Sequence, residues 1–504
     1  MAKYKYYDYS QSKLIPVRLQ EQLIPGTLEF AIHTLVDEKI DTSIFEERYR
    51  NDETGRWAYD PKVLLKVVLF GYSRGLISSR KIERACKENV TFMALACGQQ
   101  PDHSTIASFV SSMKVEIAPL FRDVLLICHE MDLLGGTFFA LDGCKLPSNA
   151  SKEWSGKHTD LHRKKEKMEK KVEQLITEQV DTDKDDDNQG GGSSGFSNRK
   201  GQIERLKRKA ERIEKFLKEN DPKIGRTGKE IKSNITDNES ANMMTSHGTV
   251  QGYNGQALVD RDHQVIVHAE AFGEGQDHHH IPPMLDGAKQ NMEEIGQGGD
   301  YFEDTVLVAD VNYHGPANLN KCEDEHVDAY IPDINFRKRD PRFSTQPRWA
   351  SKKSKYFILE DFLHNEERDE YVCPNGKILK RNIKRMIQNG IISRRYMANE
   401  TDCTACQLRS QCLSKRKSKR RSLNVPIGWV AGNLTKKMAE KIDTKEGRNR
   451  YHQRIAIVEP VFANIRHMKR LNRFTLRGKV KVNIQWVLYC IVHNLEKIAN
   501  YGFA

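Results

Sequence analysis

Apolar residues recur at helical intervals from Tyr59 onward, at Val63, Val67 and Phe70, and again at Ile82 and Ala85 beyond a Gly/Ser break. That spacing predicts two short helices joined by a tight turn. The pattern changes at TFFALDGCKL (137–146), a continuous apolar, β-prone run that closes on an acidic residue and a glycine. It predicts a buried strand that delivers Asp142 at or near its end. Helical repeats are clearest at Leu161, Met168, Val172 and Leu175, and at Ile203, Leu206, Ala210, Ile213 and Leu217, with the acidic, Gly/Ser-rich DTDKDDDNQGGGSSGFSN between them. An antiparallel helical hairpin with a flexible connection is expected.

The stretch GTVQGYNGQALVDRDHQVIVHAEAF (248–272) alternates and is rich in β-branched residues, which predicts two strands around a turn at Asp260, Arg261 and Asp262. A helical segment follows near 281–292, then an apolar strand from Val306 to Ala309 that ends in Asp310, then a strand within DAYIPD (328–333). The order is α/β in character. From about 334 to 440 Pro, Gly, Lys/Arg and four cysteines break the pattern, which reads as an insertion. The chain is helical again from about 444 and closes with IQWVLYCIVHNL (484–495), apolar on nearly every side and so expected to be buried.

Composition narrows the partners. A formal net charge of +12 over 504 residues favours an anionic partner, nucleic acid or an acidic membrane surface. Only 38% of residues are hydrophobic, and no apolar run approaches the roughly 20 residues of a membrane span. The opening MAKYKYYDYSQSK has neither an apolar core nor a small-residue cleavage site, so a cytoplasmic protein is expected. The ten cysteines then sit in a reducing compartment, where spaced cysteines point to metal or buried thiols rather than disulfides. The two helices after Tyr59 have the shape of a helix-turn-helix DNA reader, and equally that of a plain helical bundle.

Two apolar strands that each close on an aspartate, with Glu459 in the late helical stretch YHQRIAIVEPVFANIRHMK, are hardware suited to two-metal phosphodiester chemistry. Such chemistry needs two ions about 3.5–4 Å apart, bound by few protein carboxylates together with substrate phosphate. Each aspartate also reads as an ordinary turn or cap residue. The surrounding motifs add to this. LDGCKLPSNASK resembles the first-aspartate segment of bacterial insertion-sequence transposases of the DDE type, VADVNYHG their second-aspartate segment, and RIAIVEPVFANIRHMKRLNRFTLRGKVKV the segment carrying their glutamate. Tyr59 to Phe109, including PDHSTIASF, resembles their N-terminal domain, and QGYNGQALVD their first strand hairpin.

The resemblance implies an RNase H-like fold, nicking at the ends of a mobile element, and transfer of the freed 3′-hydroxyl to target DNA. It implies two Mg²⁺ (or Mn²⁺) ions held by Asp142, Asp310 and Glu459, with Tyr451, Arg454 and Arg466 gripping DNA phosphates. Four residues separate Arg454 from Glu459 where related transposases often have three, and Arg466 stands where lysine is common. Pro460, directly after Glu459, is expected to disturb the helix there. The resemblance further implies double-stranded DNA as partner, a homodimer in the synaptic complex, and a nucleoid-associated location.

Cys373, Cys403, Cys406 and Cys412 have spacings compatible with a closed, structural tetrahedral zinc site; free thiols and an iron–sulfur cluster are the alternatives. The neighbouring SKRKSKRR (414–421) places Lys415, Arg416, Lys417, Lys419, Arg420 and Arg421 in a phosphate-seeking patch or a solvated loop. Arg80, Lys81 and Arg84 are further candidate DNA contacts, whereas His278, His279 and His280 read as a polar turn.

The fold expected is α/β: an RNase H-like mixed sheet with helices, interrupted by a helical hairpin insertion and a cysteine-rich insertion, and preceded by an all-α N-terminal domain. The expected boundaries are 1–130 for the helical, DNA-binding domain, 131–160 and 245–335 for the first part of the catalytic domain, and 161–244 for the hairpin. The cysteine-rich, basic insertion takes 336–440, and 441–504 is the C-terminal helical part carrying Glu459. A non-catalytic DNA-binding relative and a simple nuclease on the same fold are the alternatives to a transposase.

Overall fold

The computed structural model describes residues 16–49, 57–186, 194–225, 228–245, 248–343, 345–346, 356–388, 391–413, 418–429 and 433–502. The chain divides into two compact units, Met1–Asp277 with Pro283–Phe302 and Ile455–Ala504, and His278–Pro282 with Glu303–Arg454. The content is mixed α/β, with a helical N-terminal region.

The first unit opens with α1 (Leu28–Glu38), α2 (Pro61–Ser73), α3 (Ser79–Glu88), α4 (Val90–Leu95), α5 (His103–Ser111) and α6 (Ile117–Glu130). The Asp60 carboxylate accepts the Lys62 amide and Pro61 sits in the first turn, so the start of α2 is set locally. The expected helix pair is α2 and α3. They approach closely at Gly71, where an added Cβ would lie 2.9 Å from Ile82.

Next come β1 (Phe138–Pro147), the two-residue strand β2 (Ser155–Gly156), α7 (His158–Asp186), α8 (Ser194–Glu219), and β3 (Ser233–Asn234), which pairs with β2 below the hairpin. The hairpin seam buries Leu161, Val172, Leu175, Ile203, Ala210 and Ile213, as the repeats predict. Both helices run further into the acidic and Gly/Ser stretch than composition suggests. The strands β4 (Ala241–Thr245), β5 (Gly248–Asp260) and β6 (Ile266–Phe272) follow, then α9 (Ile281–Glu294). The long β5 pairs antiparallel with β1 along one edge and with β4 and then β6 along the other. Because β1 continues to Pro147, Asp142 lies in mid-strand opposite Ala257, not at the strand end. Pairing with β5, which needs no apolar side chain, carries the strand past the end of its apolar run.

The second unit contains β7 (Val306–Ala309), α10 (Pro316–Asp324), β8 (Asp328–Tyr330) parallel to β7, and α11 (Phe336–Arg339). The region read as a cysteine-rich insertion builds an antiparallel sheet. Its strands are β9 (Leu363–Asn365), β10 (Glu370–Val372), β11 (Ile378–Gln388), β12 (Ile391–Ala398) and β13 (Ser422–Trp429), in the order β13-β12-β11-β10-β9. Between β12 and β13 lie the short helices α12 (Glu400–Thr404) and α13 (Arg409–Cys412), and after them α14 (Leu434–Asp443). Its alternation is masked in sequence because many outward positions are Lys or Arg, as in ILKRNIKRMIQ.

The chain closes with α15 (Lys445–Ala463) and α16 (Lys479–Tyr501). Pro460 does not break α15. It has no N–H for the carbonyl of Ala456, and the side-chain amide of Gln264 donates to that oxygen instead, at 3.0 Å. A single π turn, Asn464–Met468, follows, with the Lys469 amide bonded to the Asn464 carbonyl at 2.9 Å.

Helix α16 is the axis of the first unit. Residues 484–495 are all buried, and Tyr489 stacks on Tyr72 of α2 at 4.6 Å. Asn494 receives the Ile266 amide and donates to the Ile266 carbonyl. The His493 ring donates from Nε2 to the Gln264 carbonyl at 2.9 Å and receives the Asn464 amide at Nδ1, an arrangement only the neutral ring satisfies.

Burial, with Lys469 nearby, pushes His493 down to about 3, and burial pushes His268 down to about 4. The unfolded chain takes up these protons near the ordinary histidine value while the folded chain does not. Stability therefore falls as pH drops below about 6.5, by about 2 kcal/mol per ring at about pH 5. The melting temperature should fall between about pH 7 and about pH 5, and less steeply in His493→Asn; a flat profile in the parent protein contradicts the neutral-ring arrangement.

Candidate functional site

In the first unit, Asp142 marks the point where β1 passes from a fully buried run to partly exposed positions. One carboxylate oxygen accepts the amide of Gly143 at 2.8 Å. Gly143 is required by a close approach, since a Cβ there would lie 2.0 Å from Gln256 Nε2 and 2.8 Å from Asn254 Oδ1. The Asn254 and Gln256 amides both donate to the buried Asp277 carboxylate, at 2.6 and 2.9 Å. Asp277 thus ties two residues of β5 beside the Asp142 strand, a role its place next to three histidines does not suggest.

Two residues beyond Asp142, Cys144 is buried, which pushes its thiol up to about 12; the Arg466 guanidinium opposes that shift and the Asp142 charge adds to it. Arg466 and Asp142 are therefore electrostatic neighbours of one thiol. Arg466 lies in the π turn after α15, and its Nε is a buried donor with no hydrogen-bond partner among the described residues. Glu459 is exposed on α15 between buried Val458 and Val461. One turn on, Phe462 stacks on Trp486 at 6.2 Å. Trp486 donates to the Gln256 carbonyl at 2.9 Å and packs where a Cβ on Gly255, the register partner of Cys144, would stand. This contact chain seats the Glu459 turn over the part of β5 that pairs with the Asp142 strand.

In the second unit, Asp310 follows β7 directly and begins the short 3₁₀ turn Val311–Tyr313, as the sequence predicts. It lines a cleft of about 280 Å³ with Val311, Pro332, Ile334, Arg337 and Tyr451. The Tyr451 ring meets Phe336 edge-on at 5.4 Å, and the Arg454 guanidinium lies 5.9 Å from its centroid. Burial holds the Tyr451 hydroxyl above its ordinary value; Arg454 and Arg337 oppose this and Asp310 reinforces it. Asp310, Tyr451, Arg454 and Arg337 thus form one cluster. Arg454 is 8% exposed and so not an ordinary surface charge. Arg337 escaped the sequence reading; the only available signal was the basic run FRKR after the strand at 328–330.

The other basic candidates divide. Arg80, Lys81 and Arg84 are exposed on α3, with Arg84 3.7 Å from Glu88. Lys415, Arg416 and Lys417 lie outside the described residues. Lys419 and Arg420 are exposed, with Lys419 3.3 Å from Glu400. Arg421 belongs to the fold instead, because its guanidinium donates to the carbonyls of Cys412 and Phe357 at 2.9 and 2.8 Å. Among the described residues, no three His, Cys, Asp or Glu side chains are placed so that they could hold an ion. The expected closed zinc array is therefore not formed as the thiols stand.

Truncating Asp277 strands two buried amides, which costs roughly 1–3 kcal/mol for each unsatisfied group. Asp277→Ala should lower the melting temperature by several degrees and Asp277→Asn by less; an unchanged melting temperature in the alanine variant contradicts the tie.

Two family profiles match the chain. One, described as "Transposase domain (DUF772)", covers residues 17–112, which hold α1 to α5. The other, described as "Transposase DDE domain", covers residues 372–499 and runs from the end of β10 through the cysteine-bearing sheet, the Tyr451 and Glu459 helix and most of α16. No curated protein matches the chain. Among the described residues no helix is long and apolar enough to cross a membrane. Transposase domains matched over the N-terminal helices and again over the segment carrying Glu459 together support an insertion-sequence transposase of the DDE type.

Proposed function

We propose that the protein cuts DNA at the ends of a mobile element and joins the freed 3′-hydroxyl to target DNA, on an RNase H-like fold, with Asp142, Asp310 and Glu459 as ligands of two divalent ions. The observation that carries the reading is the clustering of Asp310 with Tyr451 and Arg454, inside and beside the matched DDE-domain segment. The three side chains fit hard, oxygen-preferring cations, since all are carboxylates. When bound, such ions activate an attacking oxygen and stabilise the leaving one.

The remaining roles belong to the chain itself. Arg454, buried against Tyr451, and Arg337 at the cleft hold phosphate oxygens on the Asp310 side. Arg466, with an unsatisfied buried Nε, takes a phosphate on the Asp142 side. Charge-assisted bonds of this kind fix the strand relative to the carboxylates, which is most of what phosphoryl transfer asks of a protein. Exposed Arg80, Lys81 and Arg84 on α3 contribute sequence-independent attraction to the duplex.

The test uses the full chain, Mg²⁺, and labelled duplexes bearing the sequences that flank the coding segment. Strand nicking should occur, and Asp142→Asn, Asp310→Asn and Glu459→Gln should each lower its rate by about 10³-fold or more, roughly 4 kcal/mol of transition-state stabilisation. DNA binding should persist in all three variants. Nicking that continues undiminished in Asp142→Asn removes that residue from the site, and binding without nicking in the parent protein under Mg²⁺ or Mn²⁺ establishes a DNA-binding role alone.

A further inference from the structure

The sheet of the second unit has a small core. Its buried side chains are Phe362, Tyr371, Leu379, Tyr396, Ala398 and Leu423, and Cys373, Cys403 and Cys412 pack against them. A lobe of roughly 70–80 residues with so few buried side chains ordinarily needs a covalent or metal staple. Cys412 lies within electrostatic range of Cys373, Cys403 and Cys406, so four thiols from two distant stretches of chain gather beside one core.

The surroundings of these sulfurs suit thiolates. The Lys377 amide donates to Cys373 Sγ at 3.3 Å, the Arg421 amide to Cys403 Sγ at 3.5 Å, and the Asn375 side-chain amide to Cys406 Sγ at 3.5 Å. Cys373 opens a tight reversal, Cys-Pro-Asn-Gly-Lys, closed by its own amide on the Lys377 carbonyl and by Gly376 with φ +71°. That turn aims a backbone N–H back at the sulfur. Two guanidinium groups bracket the other stretch, Arg409 donating to the Cys403 carbonyl at 2.8 Å and Arg421 to the Cys412 carbonyl at 2.9 Å. N–H donors and the Arg421 charge favour deprotonated sulfur, whereas burial and the three neighbouring sulfurs hold the Cys412 thiol above its ordinary value, a penalty that a bound cation would offset.

We propose that Cys373, Cys403, Cys406 and Cys412 bind one zinc ion that staples the turn between β10 and β11 to the helical pair between β12 and β13. As placed, the thiols stand outside ligating geometry. The two sulfurs that α12 and α13 carry, Cys403 and Cys412, are only partly buried, which leaves them accessible to an ion. Four protein sulfurs leave no open coordination position, and the ion is structural. Each ligating thiol gives up its proton on binding. The site does not depend on the nuclease reading above, and either can fail alone.

The experiment is elemental analysis of the full-length protein after equilibration with Zn²⁺ under reducing conditions and removal of free metal. About one zinc per chain is expected, falling to near zero in Cys403→Ser/Cys406→Ser and unchanged in Cys97→Ser, whose thiol lies outside the cluster. Cobalt added to the parent protein should give the sulfur-to-metal charge-transfer and intense visible bands of a tetrahedral thiolate site, a measurement that does not depend on the variants folding. Parent protein that holds no zinc, or a double-serine variant that holds as much as the parent, overturns the proposal. So does peptide mapping that finds these cysteines in disulfides in protein purified under reducing conditions.

Discussion

The first unit depends on burying α16 on every side. A helix apolar all round has no solvent-facing stripe, so it must be enclosed, and here α2 and β6 supply walls for it. Several of the polar residues it carries are held by specific partners. Asn494 caps both backbone groups of Ile266, and Trp486 spends its N–H on the Gln256 carbonyl. Each of these bonds fixes the helix against β5 or β6 in one register, since a slip would strand buried donors at a cost of about 1–3 kcal/mol each.

That register positions the chemistry of the unit. Trp486 occupies the space left by Gly255, Phe462 stacks on Trp486, and Glu459 stands one turn before Phe462. The π turn at Asn464–Met468 and the Gln264 bond to Ala456 both accommodate irregularities in the same stretch, one from helical phase and one from Pro460. Arg466 sits within that π turn, consistent with the tendency of such turns to mark functional positions. On the second unit the equivalent organisation is aromatic: Tyr451 is wedged between Phe336 and Arg454 at the wall of the Asp310 cleft.

The candidate DNA-contacting cations are of two physical kinds. Arg454 and Arg466 are partly or wholly withdrawn from water, so their charge acts at low effective dielectric and in fixed geometry. Arg80, Lys81 and Arg84 are solvated and screened within about 10 Å at ordinary salt, suited to capture and not to alignment.

The sequence alone determined the elements whose cores are local: α2 and α3, the hairpin seam of α7 and α8, the β5–β6 pair, the strand before Asp310, and the burial of 484–495, because period and apolarity act within a few residues of each other. It also marked Asp142, Asp310, Glu459, Tyr451, Arg454, Arg466 and the four cysteines as candidates. Tertiary structure decided the rest. Asp142 moved from strand end to mid-strand because β5 supplies backbone partners beyond the apolar run, and Pro460 was tolerated because Gln264, almost two hundred positions away, serves the freed carbonyl. The sheet from β9 to β13 was hidden under Lys and Arg side chains, and Arg337 and Asp277 took their roles from neighbours that only folding brings near. In each case the deciding partner was remote in sequence, and no local pattern encodes it.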